Sequence, residues 1–126
     1  MNFKKQLDHL ASTDKSSNTS DLSQLSGLSE EEVNKFQIAW GKMKANRKLN
    51  LLVKLHDLSE VSPQMDFSDI FRMCLTDKDN SIREQAIDSL WEYDDRVIIN
   101  PIITILTNDP SNRVRTSAAK LLAKFA

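Results

Sequence analysis

The sequence predicts an all-α protein, an α-solenoid of stacked antiparallel helix pairs with an N-terminal helical extension. Two observations carry this reading. Ile82-Arg83-x-x-Ala86-Ile87-x-x-Leu90 recurs as Val114-Arg115-x-x-Ala118-Ala119-x-x-Leu122, a period of 32 residues that also relates Asp77 to Asp109. Self-similarity at a fixed period marks units that bury an apolar face only by stacking on a neighbour. The second observation is composition: 2 Gly and 3 Pro among 126 residues leave little turn chemistry for an all-β fold.

The chain has the length of one domain with a modest core. With 40% hydrophobic and 28% charged residues it is too apolar for wholesale disorder. A net charge of −1 provides no global attraction to nucleic acid or anionic lipid. No apolar run approaches the ~20 residues of a membrane span. The basic start at Lys4-Lys5 has no apolar stretch behind it, so neither membrane insertion nor a secretory signal is expected. The single Cys74 cannot form an internal disulfide, and a reducing cytoplasm is the expected compartment.

The elements follow in order. Phe3, Leu7, Leu10 and Ala11 at helical spacing predict a short N-terminal helix over 1–11. Residues 12–28 are Ser/Thr/Asn/Asp-rich and read as a loose linker in which Leu22 and Leu25 are candidates to dock. A helical pair over 29–65, packing on the array, begins with the capping-box pattern Ser29-x-x-Glu32, with Leu28 and Val33 placed as a staple. Val33, Phe36, Trp40 and Met43 stripe its first helix. Leu51, Leu52, Leu55 and Leu58 stripe the second, with Arg47, Lys48 and Lys54 expected to face elsewhere.

Two repeats fill 66–126. Phe67, Ile70, Phe71, Cys74 and Leu75 follow the pattern of a core-facing helix, and a polar turn covers 76–80. Ile82, Ala86, Ile87 and Leu90 stripe the next helix. The isoleucine-rich segment 97–106 invites a strand assignment, but the repeat pattern overrides it, with Pro101 either starting or kinking the helix. Val114, Ala118, Ala119 and Leu122 are the expected core stripe of the last helix.

Residues 75–87, Leu75-Thr76-Asp77 through Ala86-Ile87, resemble a HEAT-like repeat, and 106–119 resemble the same unit. The resemblance is to the short, roughly 30-residue subtype also found in phycobilisome lyases and in bacterial HEAT-repeat-domain proteins. It implies stacked antiparallel helix pairs. It also implies a ladder beneath the turns, in which the turn Asp and the second-helix Arg bond to successive units, with Asp77, Arg83, Asp109 and Arg115 as its members. Arg suits that role because its planar fork matches a carboxylate or backbone carbonyls. The function implied is non-catalytic protein binding, as a scaffold or interaction module, with no cofactor.

Candidate sites follow from helix faces. Glu84, Asp88, Trp91 and Glu92 on the exposed side of the second helix form the candidate partner surface, where Trp anchors and acids select a basic partner. Trp91 either caps the core or sits exposed on that side. Leu121 and Phe125 form a candidate end-to-end contact, serving self-association or further repeats; folding back onto the preceding helix is the alternative. Nucleic-acid binding is the second functional reading, resting on basic clusters in helices 46–60 and 111–125 and before them: Lys42, Lys44, Arg47, Lys48, and Arg113, Arg115, Lys120, Lys124. His9 and His56 lack a zinc-ligand spacing, so no metal and no catalytic constellation is expected.

Overall fold

Helix forms wherever apolar residues recur at three- and four-residue spacing, and polar turns separate the helices. The computed structural model describes residues 3–12 and 19–126, and the side chains of all of these except 4, 9–12, 19 and 20. Of the expectations above, those on His9, Leu10 and Ala11 concern side chains outside the described residues. The fold is all-α, without a strand among the described residues. The chain forms two compact units, Met1–Ile70 and Phe71–Ala126, which divide inside one helix.

The first unit contains α1 (Phe3–Ser12), α2 (Thr19–Ser23), α3 (Glu30–Gly41), α4 (Ala45–Val61) and the start of α5 (Ser68–Cys74). α1 packs against α3. Gln6 Nε2 donates to the Asp21 carbonyl at 3.1 Å, which ties α1 to α2. Residues 19–28 are not a loose linker: Leu22, Leu25 and Leu28 are buried, and three such leucines outweigh the polar composition around them. Residues 13–18 of that expected linker lie outside the described residues. Gly27 takes φ +62°, a left-handed conformation that favours glycine. There its N–H donates to the Asp66 carbonyl at 2.8 Å, while the Asp66 N–H donates to Ser26 Oγ at 2.8 Å.

α3 opens with the capping box: Glu32 N–H donates to Ser29 Oγ at 3.2 Å and Ser29 N–H to Glu32 Oε1 at 3.0 Å. Phe36 and Trp40 stack at 5.7 Å on its buried side. On α4, Leu51, Leu52 and Leu55 are fully buried. Arg47 and Lys48 are buried as well, contrary to the expectation that they face elsewhere. Their long alkyl stems can cover apolar surface, and Lys48 Nζ sits 5.4 Å from the Trp40 ring centroid.

The second unit holds the end of α5, α6 (Asn80–Ser89), α7 (Ile99–Asn108) and α8 (Asn112–Lys124). One 3-10 turn (Leu90–Glu92) follows α6 and another (Arg96–Ile98) precedes α7. α8 packs against both α6 and α7. Asp79 caps α6 by accepting from Ser81 N–H at 2.8 Å, and Ser111 caps α8 by accepting from Val114 N–H at 3.4 Å. The isoleucine-rich segment is helical, and Pro101 stands in its first turn, where a missing N–H costs nothing.

The buried side of α8 is Val114, Ser117, Ala118 and Leu121. The expected stripe is therefore displaced: Ala119 is exposed and Leu122 half-buried. Contact with two helices at once selects the i, i+3, i+4, i+7 row through Ser117 and Leu121.

Candidate interaction face and inter-repeat ladder

The repeat is visible in hydrogen bonds as well as in letters. Asp77 Oδ1 accepts from Asp79 N–H at 2.9 Å, and Asp109 Oδ1 accepts from Ser111 N–H at 2.9 Å. Arg83 Nη1 donates to the Asp77 carbonyl at 2.8 Å, as Arg115 Nη1 does to the Asp109 carbonyl. Arg83 Nη2 donates to Asn80 Oδ1, as Arg115 Nη2 does to Asn112 Oδ1. Each Asp–Asn–Arg set clamps a turn to the helix it precedes.

The two sets differ in one respect. Arg83 also reaches the other turn, with Nε 2.8 Å from Asp109 Oδ2 and Nη2 3.1 Å from Asp109 Oδ1. Both side chains are buried. Burial by itself raises the Asp109 pKa. The Arg83 guanidinium, the Ser111 amide and the Arg115 charge outweigh it and hold the carboxyl below its ordinary value of 3.8. The four sequence-derived ladder residues thus lie in one network, with Asp109 joined to both arginines and Asp77 to Arg83.

A groove of 350 Å³ opens between α6, its 3-10 extension and α8, lined by Ile87, Asp88, Trp91, Ser117, Lys120, Leu121 and Ala123. Trp91 is 47% exposed and sits in the 3-10 turn rather than on the helix. Of the two alternatives it is exposed rather than core, although about half of its surface is covered. Lys124 holds it: Nζ donates to the Trp91 carbonyl, lies 3.3 Å from the Tyr93 carbonyl and 3.0 Å from Asp94 Oδ1, and stands 5.7 Å from the indole centroid. A cation in the last turn of α8 also suits the helix dipole.

Of the four residues of the candidate partner surface, Asp88 and Trp91 line the groove. Glu92 is exposed on the same 3-10 turn as Trp91, while Glu84 is half-buried and pairs with Arg113 Nε at 3.1 Å. The sequence reading did not identify Ile87, Ser117, Lys120 and Ala123 as lining, or Lys124 as the clasp. The spacing of Ile87 and Trp91, and of Ser117, Lys120 and Lys124, contained that signal once α6 and α8 are paired.

Leu121 does not fit an end-to-end contact. It is 1% exposed, on the buried side of α8, because the stripe runs one residue away from the expected one. Phe125 is half-buried, with Lys124 Nζ 5.7 Å from its ring. The basic clusters are also depleted as surfaces. Arg47 and Lys48 are buried, and Arg113, Arg115 and Lys124 are engaged in the contacts described. Lys42, Lys44 and Lys120 are exposed.

His56, Asp57 and Glu60 on α4 bring three ligand atoms within 4.8 Å of one another, a set that the sequence reading passed over. They could offer a divalent cation one exposed helix flank. The pairing of His56 Nε2 with Glu60 Oε1 at 2.6 Å, one turn apart, accounts for the proximity. Among the described residues, no helix is long and apolar enough to cross a membrane.

The HEAT repeat model matches residues 98–126, the span of α7 and α8 with the turn between them. No curated protein and no solved structure matches the chain. HEAT repeats are a helical-repeat module rather than an enzyme family. The clamp of Asp109, Asn112 and Arg115, the α7–α8 pairing and the family match coincide on one segment: residues 98–126 are a HEAT repeat in an all-α chain of packed helix pairs.

Proposed function

We propose that the chain is a non-catalytic protein-interaction module, working as a scaffold in the cytoplasm. Its groove between α6 and α8 takes an apolar segment of a partner protein flanked by basic residues. The observation that supports this is a half-exposed Trp91 held by Lys124 over the groove, with Ile87 and Leu121 as its floor. Trp combines a large apolar area with few rotatable bonds, which is why it concentrates binding energy. Asp88, which lines the groove, and Glu92, on the turn that carries Trp91, are exposed and select positive charge.

The reading treats 66–97 as a diverged repeat stacked on 98–126, of the short subtype that phycobilisome lyases share, after an N-terminal helix (1–11) and a helical pair (29–65). The period of 32 and the repeated Asp–Asn–Arg clamp support it. The test uses the chain and its Trp91→Ala variant as parallel baits in extract treated with nuclease. A nuclease-resistant protein held by the parent, and lost from a variant of unchanged melting temperature, supports the groove. Recovery of nuclease-sensitive nucleic acid instead would move the reading to the exposed lysines.

A further inference from the structure

The groove beside Trp91 is closed at both ends by contacts between its two walls. Arg113 Nε lies 3.1 Å from Glu84 Oε2 at one end. At the other, Lys124 donates to the Trp91 carbonyl and lies 3.0 Å from Asp94 Oδ1. Start meets start and end meets end, so α6 and α8 run side by side in the same direction. Charge divides between them. Glu84, Asp88 and Glu92 follow one another at four-residue spacing along α6 and its 3-10 extension. Arg113, Lys120 and Lys124 lie along α8, which has no acidic residue. Midway, Asp88 and Lys120 are exposed on opposite walls, and among the described residues Lys120 forms no ion pair.

An acidic wall and a basic wall on either side of an apolar floor make this face complementary to itself. In a twofold dimer, when residue i touches residue j of the partner, j also touches the partner's i. Two copies laid face to face about an axis parallel to the helices put each α6 wall over the partner's α8 wall, with equal heights in register. Asp88 then meets the partner's Lys120, and this contact forms twice. Trp91, 47% exposed at the rim, comes over the partner's Ala123. An axis crossing the helices would instead set α6 over α6, acid on acid, which is repulsive.

We propose, on the reading of the groove as an interaction site, that its occupant is a second copy of this chain, related by a twofold axis along α6 and α8. Asp88 pairs with the partner's Lys120, and Trp91 is covered in both copies. The charges identify the occupant, because one chain carries both halves of the complement at matching heights. Lys120 beside the exposed Ala123 is also the positively flanked apolar segment that the groove calls for. Lys124 already fixes Trp91 in the single chain, so pairing orders little that was free.

Sedimentation of the full chain from about 1 μM to about 1 mM is expected to show a monomer–dimer equilibrium, the range of a small interface. In a Trp40→Phe background, Trp91 emission should move to the blue over the same range as the ring loses water. Asp88→Lys and Lys120→Glu each set like charges against one another at both contacts, and each should weaken the dimer about tenfold or more. Mixed in equal amounts, the two variants should pair again, because both contacts then join opposite charges. A chain carrying both changes should dimerise like the parent. Recovery in the mixture also shows that each variant folds. A chain that stays monomeric throughout overturns the proposal. So does a dimer indifferent to both single changes, or one that the mixture fails to restore. Capture of a different protein by a monomeric chain, lost with Trp91→Ala, would keep the groove as an interaction site and overturn its self-pairing.

Discussion

Arg83 and Asp109 meet through two parallel contacts, Nε to Oδ2 at 2.8 Å and Nη2 to Oδ1 at 3.1 Å, although 26 residues separate them in the chain. The pair couples the turn before α6 to the turn before α8, since Arg83 simultaneously holds the Asp77 carbonyl. Removing one partner leaves the other charge buried without its bidentate contact. Arg83→Met is therefore expected to cost about 3–5 kcal/mol. Arg83→Met with Asp109→Asn is expected to cost less than the sum of the single changes. Urea unfolding of the four chains checks both statements.

The Asp109 carboxyl makes stability depend on pH in a defined direction. Its folded pKa lies below the ordinary 3.8, so its contribution is complete above that value and disappears as the pH falls through the lower folded value. Wild-type unfolding free energy should thus decline more steeply below the ordinary carboxylate range than that of Asp109→Asn. Urea titrations at several pH values from about 6 down to about 2 measure the difference.

The position of the α8 stripe sets a contrast between neighbours. Leu121→Ala removes a fully buried side chain and is expected to cost about 2–5 kcal/mol. Leu122→Ala, at a half-buried position, should cost clearly less. The reverse order in chemical denaturation would return the core to the stripe read from the sequence.

The clasp on Trp91 can be followed optically. In a Trp40→Phe background, Lys124→Met removes the cation that bridges the Trp91 and Tyr93 carbonyls and stands over the indole. Emission should shift to the red as the ring gains water, with a loss of about 1–2 kcal/mol in stability.

At the N-terminal side, Ser29→Ala breaks the reciprocal capping box and is expected to destabilise by about 1 kcal/mol. Thermal unfolding followed by circular dichroism detects it.

Much of this protein is determined by the sequence alone. Helical spacing placed most of the helices, the Ser29–Glu32 pattern placed a helix start, and a period of 32 set Asp77 with Asp109 and Arg83 with Arg115 at equivalent positions. The first two are local signals, carried by residues within one or two turns of each other, and the third is such a signal repeated one unit later.

Tertiary structure decided what depends on which neighbour arrives. Leu22, Leu25 and Leu28 dock because apolar surface lies within reach, so a Ser-rich stretch became partly helical. Arg47 and Lys48 lie buried because an alkyl stem can cover apolar surface while its charge finds a partner, as Lys48 does above Trp40. α8 turned Leu121 inward and Ala119 outward because it packs against α6 and α7 together. Trp91 came to line a groove because α6 ends at Ser89 and a tighter turn carries it outward, under a lysine 33 residues away. Periodicity names the face of a helix to within about one residue, and only the partner helix chooses which side of that face is buried.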